Sequence, residues 1–459
     1  MKILVQGGGG REYALAQHFA RHGHQVVGSP GNAAFHAMGI GDTHPYFDPQ
    51  DFARYCEDGG FDLAVAGAEG PLRDGLGDVM HERHLPFFGP IRAHARAEWD
   101  KGYLHELLQG TGIMPKGRVF RSRIAARTYL QDHWKERQYV VKSTQLREGK
   151  GVYVPETLAD ARAAVDRIMY APPAGWGDDV LLQQRLEGTE VSSMTIVGRG
   201  FGSYEDNTVT LASSKDNKPV GRNRFGLDPQ MNTGGMGGES PHPTVSESDF
   251  SGLLRSHTIP LISAVEQDTG VNHMVGVVYN GLMYSRTVGG VPLVNGRFSL
   301  LESNLGRFGD PETEYVLPRL RSDLAKYLKA AVEGDLSGMP PLEWDPRVSA
   351  TVFLCTPGYP TAEYKRHTGK PLRGIDLALH DPDAIVSFAG VGQNQSNRVR
   401  MGSSDLINTG GRVFALTVLG DTRDEAWDHL YGVVDGGRAI GIGDGPEDVH
   451  FRTDLKRSA

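Results

Sequence analysis

The chain of 459 residues carries 48 lysines and arginines against 56 aspartates and glutamates, a formal net charge of -8, with 39% hydrophobic and 23% charged residues. It holds no basic block of the kind that binds nucleic acid and no run near the ~18 apolar residues of a membrane span, and the three apolar residues after Lys2 are too few for a signal-peptide core. A chain of roughly three globular domains in the cytoplasm is expected, without a disulfide framework, since only Cys56 and Cys355 are present and they fall in different predicted units.

In the first hundred residues the apolar runs KILVQG, QVVG, FDLAVAG and LPFFG alternate with helical patterns, one through EYALAQHFARH and one after Pro71. That alternation predicts βα units on a parallel sheet. A helix around Trp99 to Leu108 leads out of this unit. Strands YVVKS (139–143) and GVYV (151–154), a helix from Glu156 to Met169 and the strand VLLQQRL (180–186) then make a small α+β unit. Glycine-rich segments follow, then a long helix around Phe250 to Val265, the strand FSLLES (298–303) and the helix SDLAKYLKAAVEG (322–334). Three prolines in SGMPPLEWDP mark a linker. Beyond it RVSATVFLC and RVFALTVLG read as strands, and Thr422 with Glu425 forms a capping-box pattern that opens a last helix.

The stretch VQGGGGREYA (5–14) invites comparison with the dinucleotide fingerprint G-x-G-x-x-G, whose third glycine lets the helix pack closely on the strand. Counting from Gly7 places Glu12 at that position, and counting from Gly8 places Tyr13 there. The acidic residue expected after the second strand is also missing, since QVVGSPGN supplies Ser29 and Asn32. What remains is the physics of glycines at a helix N-terminus, where free amides and the positive end of the helix dipole suit a phosphate or carboxylate, with Arg11 adding a forked donor. The plain alternative is a tight strand-to-helix turn with no ligand.

Further along, Lys101 falls in the helix leaving the first unit, Lys142 closes YVVKS, and Gly149-Lys150-Gly151 joins two strands. Lysines so placed can neutralise nucleotide phosphates while glycines let the backbone cover them. LLQQRLEGTEVS (181–192) offers the apolar Leu186 beside adenine and the carboxylate Glu190 for a ribose. In LLESNLGRFGDPE, Glu302 and Asn304 stand two apart on a strand, so they share a face, and two oxygen ligands completed by phosphates suit magnesium.

Together these stretches resemble the ATP-grasp superfamily, and within it the phosphoribosylamine-glycine ligase family. The resemblance rests on GGRE (9–12), AEGPL (68–72), GKGV (149–152), NTGGMG (232–237), SP (240–241), GLM (281–283), RFGDPET (307–313), SDL (322–324), GYP (358–360) and GGRV (410–413). It implies an α/β ATP-grasp fold with an N-terminal Rossmann-like domain (1–100), an ATP-grasp domain (101–335) bearing a small lid (118–190), and a C-terminal α/β domain (336–459). The implied activity is ATP-dependent amide formation through an acyl phosphate, with Mg²⁺ or Mn²⁺, on small-molecule substrates, by a monomer. By the same resemblance Lys101, Lys142, Lys150, Gly151, Leu186 and Glu190 look like ATP ligands, and Glu302 and Asn304 like metal ligands. Gly9, Gly10, Arg11, Glu12, Asn232, Gly234 and Gly235 would line the substrates. Asp216 and Lys218 would stand near the reacting carboxylate, with Arg307 as its clamp.

Departures from the family pattern gather near the substrates. Tyr13 stands for a usual His, and Ala68-Glu69-Gly70-Pro71 for Pro-Glu-Ala-Pro. Asn217 and Pro219 replace His and Arg, which removes a bidentate anion donor. Gln145, Leu146, Arg147 and Glu148 replace a small-residue loop, Gln183 and Gln184 stand where acids are common, NLGRFG has one extra residue, and the hairpin from Leu282 to Leu301 is longer than usual. Three readings stay open: a divergent glycine ligase, a paralogue joining another amino acid or amine, and an inactive nucleotide-binding regulator. HERH (81–84) lacks further ligands at zinc spacing and reads as a solvated face.

Overall fold

The apolar runs of the N-terminal region become five strands, β1 (Lys2–Gly7), β2 (Gln25–Pro30), β3 (Asp42–Thr43), β4 (Leu63–Val65) and β5 (Phe87–Phe88), in the spatial order β3-β2-β1-β4-β5 with every pair parallel. The structure is a computed structural model that describes residues 1–459 apart from 146–150, 171–176, 201–202, 222, 224, 229–230, 289–290, 395–404 and 458–459, and apart from the side chains of 287–288 and 291–295. Because strand side chains alternate between faces, Ile3 and Val5 of β1 pack with Leu15 and Phe19 of helix α1 (Gly10–Arg21), whereas Leu4 packs on the other face with Phe52 and Cys56 of α2 (Pro49–Asp58). Gly7 has φ +119, a conformation that favours glycine, and it lets the chain turn from β1 into α1.

The helix expected around Trp99 to Leu108 is α4 (Lys101–Leu107), and a further helix, α3 (Arg92–Trp99), precedes it. Asp100 separates them, and its carboxylate accepts the Tyr103 N–H at 2.8 Å, capping α4 and making Lys101 its first residue.

The small α+β unit is an antiparallel sheet of β6 (Gly117–Phe120), β7 (Tyr139–Ser143), β8 (Val152–Tyr153) and β9 (Val180–Gln184) in the order β6-β9-β7-β8, backed by α5 (Arg123–His133) and α6 (Leu158–Met169). Thr157 and Asp160 cap α6 reciprocally, so the helix opens two residues later than Glu156. This unit has its own apolar core, including Leu130, Val141, Val165, Ile168 and Leu182.

Next come β10 (Thr189–Val197), β11 (Thr208–Thr210), the short β12 (Lys215–Asp216) and β13 (Gly237–Ser240), helix α7 (Ile259–Thr269), and a long hairpin of β14 (Gly276–Val288) and β15 (Val291–Leu305). Strands β11-β10-β14-β15 form one antiparallel sheet. The long helix expected around Phe250 to Val265 is present but irregular: Glu247–Ser251 is a short helix ending at Gly252, and a π-helical stretch, Leu254–Thr258, runs directly into α7, where Pro260, which has no N–H to give, is tolerated near the junction.

Helices α8 (Glu312–Val316) and α9 (Leu324–Glu333) lead to β16 (Val348–Cys355), β17 (Ala384–Phe388) and β18 (Arg412–Gly420), then α10 (Arg423–Val434), which opens with the Thr422–Glu425 capping box. These strands take β12 and β13 into one sheet, β12-β13-β16-β18-β17. One core runs through Phe19, Val277, Phe308, Leu328, Leu354 and Trp427 and so joins the N-terminal sheet, the β14–β15 hairpin and the C-terminal sheet.

Candidate active site

A cavity of about 890 Å³ opens where these units meet. Its walls come from Val152, Val154 and Gln183–Leu186 of the lid, Glu190–Ser192 of β10, residues 215–219 and 232–234, the middle of β14, Leu301–Asn304 of β15, and Tyr359 and Arg412 from the C-terminal region. It brings Lys101, Lys142, Leu186, Glu190, Asp216, Lys218, Asn232, Gly234, Glu302, Asn304 and Arg307 around one space, together with Arg11. Gly9, Gly10, Glu12, Gly151 and Gly235 do not line it, and Lys150 falls outside the described residues.

The glycine loop explains part of this. The Gly9 N–H, which could have faced an anion, donates to Glu12 Oε2 at 2.6 Å, while Glu12 Oε1 pairs with Arg11 Nε at 2.6 Å. Arg11 Nη1 also donates to the Phe308 carbonyl at 3.2 Å. The amide and the guanidinium are thus partnered within the chain. The glutamate three residues after Gly9 is the signal for it, as in any capping box.

Along β15, Glu302 and Asn304 lie on one face, and Lys142 projects from β7 to donate to the Leu301 carbonyl at 3.0 Å. Lys218 Nζ stands 2.7 Å from Glu302 Oε1. Among the described residues no group of three or more His, Cys, Asp or Glu is placed to hold a metal. Glu302 and Asn304 nonetheless fit a divalent cation that takes most of its ligands from phosphate, and the ammonium of Lys218 shows that the carboxylate is built to face positive charge. Lys218 is the main cause holding Glu302 down to about 2. Burial opposes the ammonium of Lys218, yet Glu302 and neighbouring acids keep it charged well above the usual lysine range.

Burial lowers Lys142 to about 8; Glu302 resists the shift, and the cations Lys101 and Lys218 add to it. An anion arriving at Lys142 restores its proton, so ATP binding should take up a proton above pH 8 and weaken as pH rises further. Calorimetry at about pH 9 in two buffers of different ionisation heat reads this uptake; identical heats would remove Lys142 from the phosphate site. For folding, the unfolded chain keeps this proton up to a pKa near 10.5, so the group costs stability below about 8 and the cost fades between those two values.

The same cavity also holds a cluster of arginines and acids, whose Glu98 lies beside Lys101, Lys142 and Glu302. Arg307 pairs with the buried Glu98 and, at 3.2 Å, with Glu69. Arg412 pairs with Asp310 at 2.8 Å and donates to the Gly234 carbonyl at 2.7 Å, while the Gly234 N–H donates to the Tyr359 hydroxyl at 2.9 Å. Burial raises Glu98 against the pull of Arg307. Deeper still, Glu312 accepts the hydroxyls of Ser192 at 2.7 Å and Tyr279 at 2.9 Å. Asp216 Oδ2 has no hydrogen-bond partner among the described residues, and burial, then Glu312, holds that carboxyl well above its ordinary range.

Glu69, Glu98, Asp310, Glu312, Tyr359 and Arg412 were not singled out from the sequence. AEGPL, RFGDPET, GYP and GGRV contain five of the six, so motif membership was the available signal. Glu98 had none.

Two family models match the chain: phosphoribosylglycinamide synthetase, N domain, over residues 1–98, and phosphoribosylglycinamide synthetase, ATP-grasp (A) domain, over residues 99–313. A phosphoribosylamine–glycine ligase of Rhodopirellula baltica is 33% identical over 431 residues, covering 92% of this chain and 90% of that protein. The chain belongs to the phosphoribosylglycinamide synthetase family. Among other relatives of this synthetase-family chain, a phosphoribosylamine–glycine ligase of Nostoc is 33% identical over 437 residues, 94% of this chain and 95% of that one. The crystal structure of phosphoribosylamine–glycine ligase from Thermotoga maritima superimposes with a TM-score of 0.74 at 25% identity, covering 99% of this chain and 100% of that one. Biotin carboxylase of Campylobacter jejuni, at 13% identity and a TM-score of 0.64 over 100% of this chain and 94% of that one, shares the fold alone. The synthetase-family chain is an ATP-grasp protein with an N-terminal α/β domain.

Proposed function

We propose that this protein joins glycine to 5-phosphoribosylamine at the expense of ATP, giving glycinamide ribonucleotide, ADP and phosphate in purine synthesis. The observation that carries the reading is the cavity lined both by Lys101, Lys142 and the Glu302–Asn304 pair and by Arg11, Arg307 and Arg412, in a chain of this family. ATP lies between lid and body, with Leu186 and Glu190 toward the nucleoside and Lys101 and Lys142 toward the phosphates. When bound at Glu302 and Asn304, a divalent cation, Mg²⁺ or Mn²⁺, neutralises phosphate charge. The chain's part is to hold the amino-acid carboxylate in line with the γ-phosphorus near Lys218 and to keep water from the acyl phosphate until the amine attacks. Arg307, fixed by Glu69 and Glu98, presents its remaining edge to that carboxylate, and Arg11, Asn232, Gly234 and Gly235 form or back the sugar-phosphate end. We read the protein as a cytoplasmic monomer divided at residues 100 and 335.

A second reading, a paralogue using another amino acid or amine, is favoured by Asn217 and Pro219, which both line the cavity where the family pattern has His and Arg. Release of ADP separates the two. Purified protein with ATP and Mg²⁺ is expected to release ADP only when glycine and freshly made phosphoribosylamine are both present, with glycinamide ribonucleotide seen by mass spectrometry. Turnover with a different acid or amine alone makes it the paralogue. ATP binding with no turnover makes it a regulator.

A further inference from the structure

The segment 449–457 crosses behind the cavity and is tied down at both ends. His450 exchanges two backbone hydrogen bonds with Cys355 of β16, both 2.8 Å; the Leu455 N–H donates to the Tyr431 hydroxyl at 3.2 Å, and Arg423 Nη1 donates to the Lys456 carbonyl at 2.7 Å. Between these anchors Arg452, only 7% exposed, turns toward residues 216–221. Asp454 grips its guanidinium as a fork, at 2.6 and 3.1 Å, and the remaining Nη1 donates to the Pro219 carbonyl at 2.7 Å. The approach is possible because residue 221 is glycine: a Cβ there would lie 2.2 Å from Arg452 Nε, and its φ of +72 also favours glycine.

Pro219 follows Lys218 directly. The Lys218 carbonyl is held from the opposite side by the Thr233 N–H at 2.9 Å and the Thr233 hydroxyl at 2.6 Å. Residues 218 and 219 are therefore clamped between Thr233 and Arg452, and this stretch carries Asp216 and Lys218 into the cavity. A forked guanidinium anchored by its own carboxylate loses little freedom when it makes the third bond, which suits it to fix a backbone rather than merely touch it.

We propose that Arg452 is a positioning residue for the amino-acid end of the cavity: by fixing Pro219 from behind, it sets where Lys218 and Asp216 stand, and so sets affinity for the carboxylate substrate. This inference rests on the ligase reading above. It concerns a residue that does not itself line the cavity and reaches it only through Pro219.

The test is steady-state ADP release by the full chain with Arg452→Ala, Arg452→Lys and Gly221→Ala. Arg452→Ala is expected to raise the KM for the amino acid by about tenfold, the factor that the loss of one charge-assisted hydrogen bond carries, with KM for ATP and kcat within about twofold of wild type. Gly221→Ala, which keeps the arginine but displaces it, should give the same split. Arg452→Lys, which keeps a donor for the carbonyl but not the fork, should fall between. An unchanged amino-acid KM in folded Arg452→Ala overturns the proposal, as does an equal rise in the KM for ATP. If Arg452→Ala does not fold, the other two variants decide by the same criterion. If wild type itself turns over no substrate, the ligase reading fails, and amide exchange at residues 216–221 then reads the clamp alone: faster exchange in Gly221→Ala upholds it and unchanged exchange refutes it.

Discussion

Glu302→Gln should lower kcat by about a thousandfold, the scale on which enzymes lose rate when a preorganised partner of transferring phosphate is removed. The amide keeps the shape of the side chain on β15 and removes its charge. Two things change at once. The face shared with Asn304 loses the anionic oxygen that would hold a divalent cation. Lys218, whose ammonium lies 2.7 Å from Glu302, loses its ion partner and adds uncompensated positive charge beside Lys142 and Lys101. Binding of ATP without metal should therefore be undiminished or tighter while turnover collapses. ADP release, compared with binding of a fluorescent ATP analogue in chelator, separates these effects. A variant that turned over at the wild-type rate would place the metal elsewhere. Lost binding in chelator would show instead that Glu302 supports the local fold.

Arg307→Ala should destabilise the protein by about 3–5 kcal/mol, the usual range for removing one partner of a buried ion pair. The reason lies in what is left behind. The Arg307 side chain is 11% exposed and that of Glu98 1%, so Glu98 becomes a buried carboxylate with its cation gone and Glu69 half-buried beside it. Glu98 already titrates above the ordinary glutamate range because of burial, with Arg307 pulling it down. Without that pull its folded-state pKa climbs further above the unfolded value, so the folded state binds this proton more tightly. The loss is then complete only above the variant's folded-state Glu98 pKa and shrinks as pH falls from there toward the lower folded-state value of the wild type. Denaturant melts at several pH values test the direction, and Arg307→Ala combined with Glu98→Gln should recover much of the loss. A cost that does not vary with pH would mean that the guanidinium matters by its packing and not by its charge.

Features carried by local spacing were legible in the sequence. The lid strand YVVKS, the two-residue step from Glu302 to Asn304 and the Thr422–Glu425 cap each depend on neighbours within a few positions, and they appear where the sequence places them. Helix ends were less legible because single side chains decide them. Asp100 sets the start of one expected helix and Thr157 trims another. The partners of the charged residues could not be read at all, since Arg307 meets Glu98 from 209 positions away and Arg452 meets Pro219 from 233. Nothing local distinguishes such an arginine from a solvated one. The glycine loop is the instructive intermediate: its geometry suits an anion, and the anion that meets the Gly9 amide is Glu12 of the same chain.

The lid's separate core bears on how such a chain can diverge. Leu130, Val141 and Leu182 pack among themselves, while the core that holds Phe19 and Trp427 joins the N-terminal sheet, the β14–β15 hairpin and the C-terminal sheet. A truncation inside the lid, such as Leu130→Ala, therefore loosens that small sheet without opening a hole in the body. Its cost is therefore expected to fall on that unit first, and changes among its packed residues can be offset within it while the body keeps its own packing.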